Sequence, residues 1–401
     1  MENNEDFYNK IVYKKNAFSD LMVDLKVYYR QKRVAFISTK GVSSKFITEV
    51  VNALSVAGCE FYQFIAKHHF DDNELNILSN MFIEKQFDLI VVLGAGKATD
   101  VAKYFSSVFN MPYIVCPTAP TNIAYFSKLC VNPYDSSRSF FADEPERIYI
   151  SEACIKKAPR QLVKQGVCFV LSFYEFIVTS MIDNILFDKN NDVSGIRKVL
   201  EKLQKNIVDI LTGDDDAKLQ LMDYLIDVGF FFRDCNFFDL SCYNLYFILE
   251  KISAKNNKQI STGEALLVCS KILLESYKSL FVQKNIALYD FPNYEKIAKK
   301  VEKYSIFCKK INNFSFFDKI CANKQLFERL NNLKEEFCYQ CQKRIQELKN
   351  SLLKLNQYNQ FSNCDKINLS YCLEAISILP FVSNNNYIVS VMGGLGFFNN
   401  L

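Results

Sequence analysis

Histidine is nearly missing from this chain. Two of its 401 residues are histidine, and they are neighbours, His68 and His69. A metal centre that draws histidines from two separate elements is therefore excluded, and an adjacent pair ahead of a helix reads as loop chemistry rather than catalysis. Tryptophan is absent against 36 Phe and 22 Tyr, a bias that fits AT-rich coding and carries no functional message. No basic block interrupts the scattered lysines and carboxylates, and the net charge is +4, so no nucleic-acid partner is expected. The opening MENNEDFYNK is polar and acidic with no apolar core. It does not read as a signal peptide, and the expectation is a cytoplasmic protein.

Long apolar runs are also scarce. Residues 166–186 come nearest to a membrane span, but Glu175 and Asp183 interrupt them. An unpaired charge at mid-bilayer costs about 2.5–3.5 kcal/mol, so a buried core helix and no membrane partner are expected. Cysteine is not scarce, at 14, but the positions are irregular. In the absence of an export signal they read as reduced thiols acting as small apolar core residues. The one CxxC, Cys338 to Cys341, lies in a charged helical run without a second pair, so its spacing reads as coincidence.

What is present is a globular composition, 49% hydrophobic and 23% charged, long enough for two well-buried domains. Residues 33–38 and 59–65 read as strands, 43–57 and 73–85 as helices, with residues 1–30 an amphipathic entry. Gly58 suits a helix end, and Asp71 or Asp72 a helix cap. Strands alternating with helices predict a parallel sheet with helices on both faces. Residues 138–146 read as a polar crossing loop and 147–150 as an edge strand. Beyond residue 158 the pattern is helical, with periodic segments at 161–187, 196–211, 217–232, 240–254, 263–282, 293–311, 320–355 and 366–379. The acidic run after Gly213 suits a helix start. The predicted division is 1–157, an α/β nucleotide-binding domain, and 158–401, an all-α domain.

The most informative stretch is residues 87–103, FDLIVVLGAGKATDVAK. Leu89 to Leu93 form a doubly buried strand, Gly94-Ala95-Gly96 breaks it, and a helix follows from Lys97. Glycines at such a turn let backbone approach a phosphate, and the N–H groups of the first helical turn point at it. In parallel sheets ligands bind beyond the strands' carboxyl ends, so Thr39, Gly94 to Lys97 and Thr118 to Asn122 should line one crevice. At the end of the first strand stand Ser38, Thr39 and Lys40 rather than a carboxylate. Lys40 either meets a 2′-phosphate, a lean toward NADP, or is a solvated loop lysine.

This stretch resembles the GGGxxxDxAK motif of the iron-containing alcohol dehydrogenase and dehydroquinate synthase superfamily. Gly94, Gly96, Asp100, Ala102 and Lys103 match it, and Ala95 replaces the middle glycine. The next landmark, a strand ending in Pro117-Thr118 followed by Ser127, is similar to glycerol-1-phosphate dehydrogenases. The resemblance implies a dehydroquinate synthase-like fold, a Rossmann-like domain followed by a helical one, binding NAD or NADP through Gly94, Ala95, Gly96, Lys97, Asp100, Thr118, Thr121, Ser127, Thr39 and Lys40. It also implies a metal, Zn²⁺ or Fe²⁺, held by one Asp and two His, polarising the carbonyl of a small phosphorylated or polyol substrate. Those ligand positions carry Phe169, Tyr243 and Thr262 here. The HDG of the substrate loop reads Asn122-Ile123-Ala124. Hence no metal is expected, save one rebuilt on Asp234, Asp239 or Glu264. Lys97, Tyr243 and Tyr246 are the candidate proton donors of a metal-free oxidoreductase. The alternative is an inactive, repurposed nucleotide-binding subunit, forming a homo-oligomer or pairing with an active paralogue.

Overall fold

The computed structural model describes residues 4–66, 71–134, 139–233, 241–256, 258, 260–286, 294–304, 323–357, 369–382, 388 and 392. The chain divides into two compact units, residues 1–166 with 209–235 and residues 167–208 with 236–401.

The first unit is α/β. Its elements are α1 (Asn4–Asn9), β1 (Ile11–Lys14), α2 (Ala17–Tyr28), β2 (Arg33–Thr39), α3 (Ser44–Val56), β3 (Glu60–Ala66) and α4 (Asp72–Lys85). There follow β4 (Leu89–Gly94), α5 (Gly96–Phe109), β5 (Tyr113–Pro117), β6 (Leu129–Val131), β7 (Ser139–Phe141), β8 (Arg147–Ser151) and α6 (Glu152–Lys156). Local chemistry sets the ends. Gly58 takes φ +74°, a conformation costly for other residues. Asp71 caps α4 by accepting from the Glu74 N–H at 2.8 Å.

Six strands form one parallel sheet in the order β1-β8-β5-β4-β2-β3. β4 lies inside it and every residue is buried, as a continuous apolar run demands. Two features differ from the sequence reading. Residues 147–151 are not at the edge, because the four-residue strand β1, unseen in the amphipathic entry, pairs on their outer side. Within residues 138–146, read as loop, β7 pairs antiparallel with β6.

The helices are α7 (Arg160–Leu171), α8 (Phe173–Phe187), α9 (Ser194–Thr212), α10 (Asp215–Phe231), α11 (Ser241–Lys255), α12 (Thr262–Phe281), α13 (Tyr294–Lys303), α14 (Lys324–Gln357) and α15 (Leu369–Val382). The single helix expected at 161–187 is interrupted at Ser172, whose hydroxyl and N–H both bond the Phe169 carbonyl, at 2.7 and 3.2 Å. Asp214 caps α10 through the Ala217 N–H at 2.8 Å, after Gly213 at φ +92°. α10 belongs to the first unit, so that unit takes in more than residues 1–157.

The second unit is helical, with α12 packed on α8, α11 and α14, and α11 on α15. Residues 160–187 are the one described stretch helical and apolar enough to cross a membrane, and 83% of that window is buried inside the protein. Glu175 is part of this core and accepts hydrogen bonds from Tyr277 Oη at 2.7 Å and Thr179 Oγ1 at 2.5 Å. Asp183 accepts from the Ile388 N–H at 3.1 Å and lies 3.7 Å from Lys189 Nζ.

Candidate functional site

The sheet order places a switch point in the first unit. The chain leaves β2 toward β3 on one side, and β4 toward β5 on the other. Ligand crevices in open parallel sheets form at such points. Ser38 pairs with Leu93 and Gly94 with Pro117 in register, and Ser38 Oγ bonds the Leu93 carbonyl at 2.8 Å. The Thr118 N–H bonds the Gly94 carbonyl at 3.2 Å. Thr39, Gly94 and Thr118 therefore lie along one carboxyl edge, as their sequence positions require.

Ala95 is the N-cap of α5, and its carbonyl accepts the Ala98 and Thr99 N–H groups at 3.0 and 3.3 Å. The N–H groups of Gly96 and Lys97 have no acceptor within the helix and carry its positive dipole end. Both glycines are also closely packed in the turn. A Cβ on Gly94 would come within 2.7 Å of the Ala98 methyl, and one on Gly96 would collide with the Asn122 carboxamide. The Lys97 and Lys40 side chains are exposed.

Three residues assigned to the nucleotide by resemblance are spent inside the protein. Asp100 accepts the Val131 N–H and faces Lys103. Burial pushes its carboxyl up to about 6, although Lys103 and that N–H pull the other way. Ser127 is buried, with its Oγ directed at the Leu129 carbonyl at 3.5 Å. Thr121 Oγ1 shares a hydrogen bond with Tyr125 Oη at 3.2 Å, and Tyr125 donates to the Ala119 carbonyl at 2.9 Å.

Lys103, a motif match given no role by the sequence, holds this region together. Its side chain is fully buried, and Nζ donates to the Ser127 and Leu129 carbonyls at 2.6 and 2.9 Å. Burial lowers its pKa, and Asp100 opposes that shift. The loop after Thr118 is wedged further by two helix glycines. A Cβ on Gly166 would strike the Pro120 carbonyl, and one on Gly229 the Phe126 side chain. Nothing in the local sequence marks Gly229 for this contact.

The three positions where the resemblance expects metal ligands lie in the second unit. Phe169 is buried, its ring edge-on to Phe173 at 5.4 Å and to Tyr243 at 6.2 Å. Tyr243 leans on Phe247 at 6.2 Å. Thr262 Oγ1 lies 3.0 Å from Tyr246 Oη, which also donates to Glu250 Oε1 at 3.0 Å. Burial, with the Glu250 carboxylate, raises the Tyr246 pKa well above its ordinary value. A phenyl ring, a phenol and a threonine hydroxyl do not suit Zn²⁺ or Fe²⁺. Among the described residues no group of three or more His, Cys, Asp or Glu is placed to hold a metal. Glu264 is buried in the first turn of α12. His68, His69, Asp234 and Asp239 lie outside the described residues.

Residues 12–159 match the family profile described as iron-containing alcohol dehydrogenase. A glycerol-1-phosphate dehydrogenase [NAD(P)+] of Nitrosopumilus maritimus is 26% identical over 156 residues, 38% of this chain and 42% of that protein. Its counterpart in Methanococcus aeolicus is 30% identical over 129 residues, 30% of this chain and 37% of that protein. The chain thus spans less than half the length of these relatives. An archaeal halo-thermophilic alcohol dehydrogenase from a Red Sea brine pool superimposes with TM-score 0.61 at 12% identity, covering 98% of this chain and 96% of that one, a likeness of fold. With the glycine turn, the Pro-Thr strand end and the parallel sheet in place, these likenesses converge: residues 12–159 are similar to iron-containing alcohol dehydrogenases, their curated relatives being glycerol-1-phosphate dehydrogenases, and the chain shares the fold of that superfamily.

Proposed function

We infer that the protein binds a nicotinamide dinucleotide at the turn between β4 and α5 and does not perform the superfamily's metal-assisted oxidoreduction. The pyrophosphate is held by the N–H groups of Gly96 and Lys97, with the Thr39 and Thr118 hydroxyls along the same carboxyl edge. Bound there, the nicotinamide supplies a hydride donor or acceptor. The observation that carries the second half is the aromatic packing at the ligand positions, where the Phe169 ring meets the Tyr243 ring at 6.2 Å. Losing an electrophile of this kind removes several kcal/mol of transition-state stabilisation. The protein then acts as a regulatory or partner subunit of the same fold.

One observation favours a second reading, a metal-free oxidoreductase acting on a small phosphorylated or polyol carbonyl. Lys97 is exposed beside the turn and is the right type of group to donate a proton. Tyr246 is less suited, because its hydroxyl is committed to Glu250 and Thr262. The test titrates NADH and NADPH by nicotinamide fluorescence, then follows their oxidation with dihydroxyacetone phosphate, with and without Zn²⁺. Binding without turnover supports the first reading. Metal-independent turnover supports the second, and zinc-stimulated turnover overturns both.

A further inference from the structure

Asn122 packs against Gly96 of the glycine turn, and its role is not given by the match to the superfamily. The carboxamide rests on the bare Cα of Gly96, so close that no Cβ fits between them. Its orientation is determined. Oδ1 accepts the Ala124 N–H at 3.0 Å, which makes the other terminal atom the NH₂ donor. That donor, Nδ2, is the side-chain atom nearest the position of a Gly96 Cβ.

The segment that carries it is braced. The Thr121 N–H bonds the Ala119 carbonyl at 3.0 Å, and the Phe126 N–H the Ile123 carbonyl at 2.9 Å. Pro120 abuts Gly166, and the Ser127 carbonyl is held by Lys103. The carboxamide is therefore held against the Cα of Gly96, the first residue of α5. The nearest carboxylate in sequence, Asp100, is engaged by Lys103 and the Val131 N–H. A side-chain donor set against the first residue of a helix, whose leading N–H groups have no acceptor in the helix, is a pattern that suits an anion. A second sign of incomplete hydrogen bonding lies on the same turn, where Thr99 is fully buried and its Oγ1 has no partner.

We propose that Asn122 is a binding residue for the phosphate group held at this turn, donating from Nδ2 alongside the backbone N–H groups. This rests on the nucleotide-binding reading for the identity of the natural ligand, but the contact itself is to phosphate. Two probes separate the two claims: NADPH and inorganic pyrophosphate, each titrated against the wild-type chain, Asn122→Asp and Asn122→Ala. Asn122→Asp keeps the shape and the bond to Ala124 but turns the donor into an anion, and thermal melts without ligand check that both variants are folded.

The expected result is a loss of at least about tenfold in affinity for both probes in Asn122→Asp, and a smaller loss in Asn122→Ala. Pyrophosphate binding that depends on Asn122, with no NADPH binding, upholds the contact and removes the nucleotide. Unchanged or tighter binding in Asn122→Ala overturns the proposal, because the carboxamide is then packing or an obstruction. A wild-type chain that binds neither probe overturns both claims.

Discussion

Replacing Lys103 with Met keeps the aliphatic stem and removes the ammonium group. Three groups then lose a partner: the Ser127 carbonyl, the Leu129 carbonyl and the Asp100 carboxylate. Removing one member of a buried charged pair costs about 3–5 kcal/mol, because the remaining member is left uncompensated. That is a large part of the 5–15 kcal/mol by which a domain is typically stable. The loss is pH-dependent. Asp100 already titrates at about 6 in the folded chain, above an ordinary 3.8, and without Lys103 it moves higher. A carboxyl with a raised folded pKa costs stability as pH rises from 3.8 through the folded value, so the variant loses more at alkaline than at mildly acidic pH. Urea unfolding of Lys103→Met, Asp100→Asn and the double variant measures the coupling directly. A single-variant loss below about 1 kcal/mol, typical of an exposed ion pair, would refute the buried-rivet reading.

Glu144 gives a cleaner acid-stability test. Burial pushes its pKa up, but hydrogen bonds from Arg233 and Lys10 outweigh this and hold it at about 2, below the usual 4.5. Its contribution is present above 4.5 and disappears as pH falls toward 2, so thermal melts of Glu144→Gln should lose that slope. Gly166→Ala gains about 1 kcal/mol of helix propensity but drives a methyl into the Pro120 carbonyl, and a net loss of about 1–2 kcal/mol of unfolding free energy in urea is expected. Tyr277→Phe leaves Glu175 with Thr179 as its remaining hydroxyl donor and should cost about 1–3 kcal/mol by the same assay.

The elements that the sequence showed best are those with a local cause. The Leu89–Leu93 run announces a doubly buried strand, Gly58 and Asp71 mark helix ends, and the glycine turn marks the switch point. Sheet position has no such local signal. Residues 147–151 look the same at an edge or inside, and the outcome depended on a four-residue strand more than 130 residues earlier. Lys103 was hidden for a related reason, since a lysine reads as surface until the carbonyls around it are known. Asp100, Thr121 and Ser127 carry the right chemistry for a ligand, yet Thr121 and Ser127 bond residues two to four positions on, and Asp100 is engaged by Lys103 and by the Val131 N–H that the fold brings to it. The ligand positions were the opposite case. A scarcity of histidine is visible from composition, and the aromatic packing of Phe169 and Tyr243 gives that scarcity its structural form.

The proposed separation of nucleotide binding from a metal centre is tested most directly by titrating NADPH into protein dialysed exhaustively against EDTA, then repeating the titration with Zn²⁺. The chain has no tryptophan, so the nicotinamide emission is easy to read. The predicted result is saturable binding near one nucleotide per chain, with the same affinity in both titrations. Binding that vanishes with EDTA and returns with zinc would contradict it.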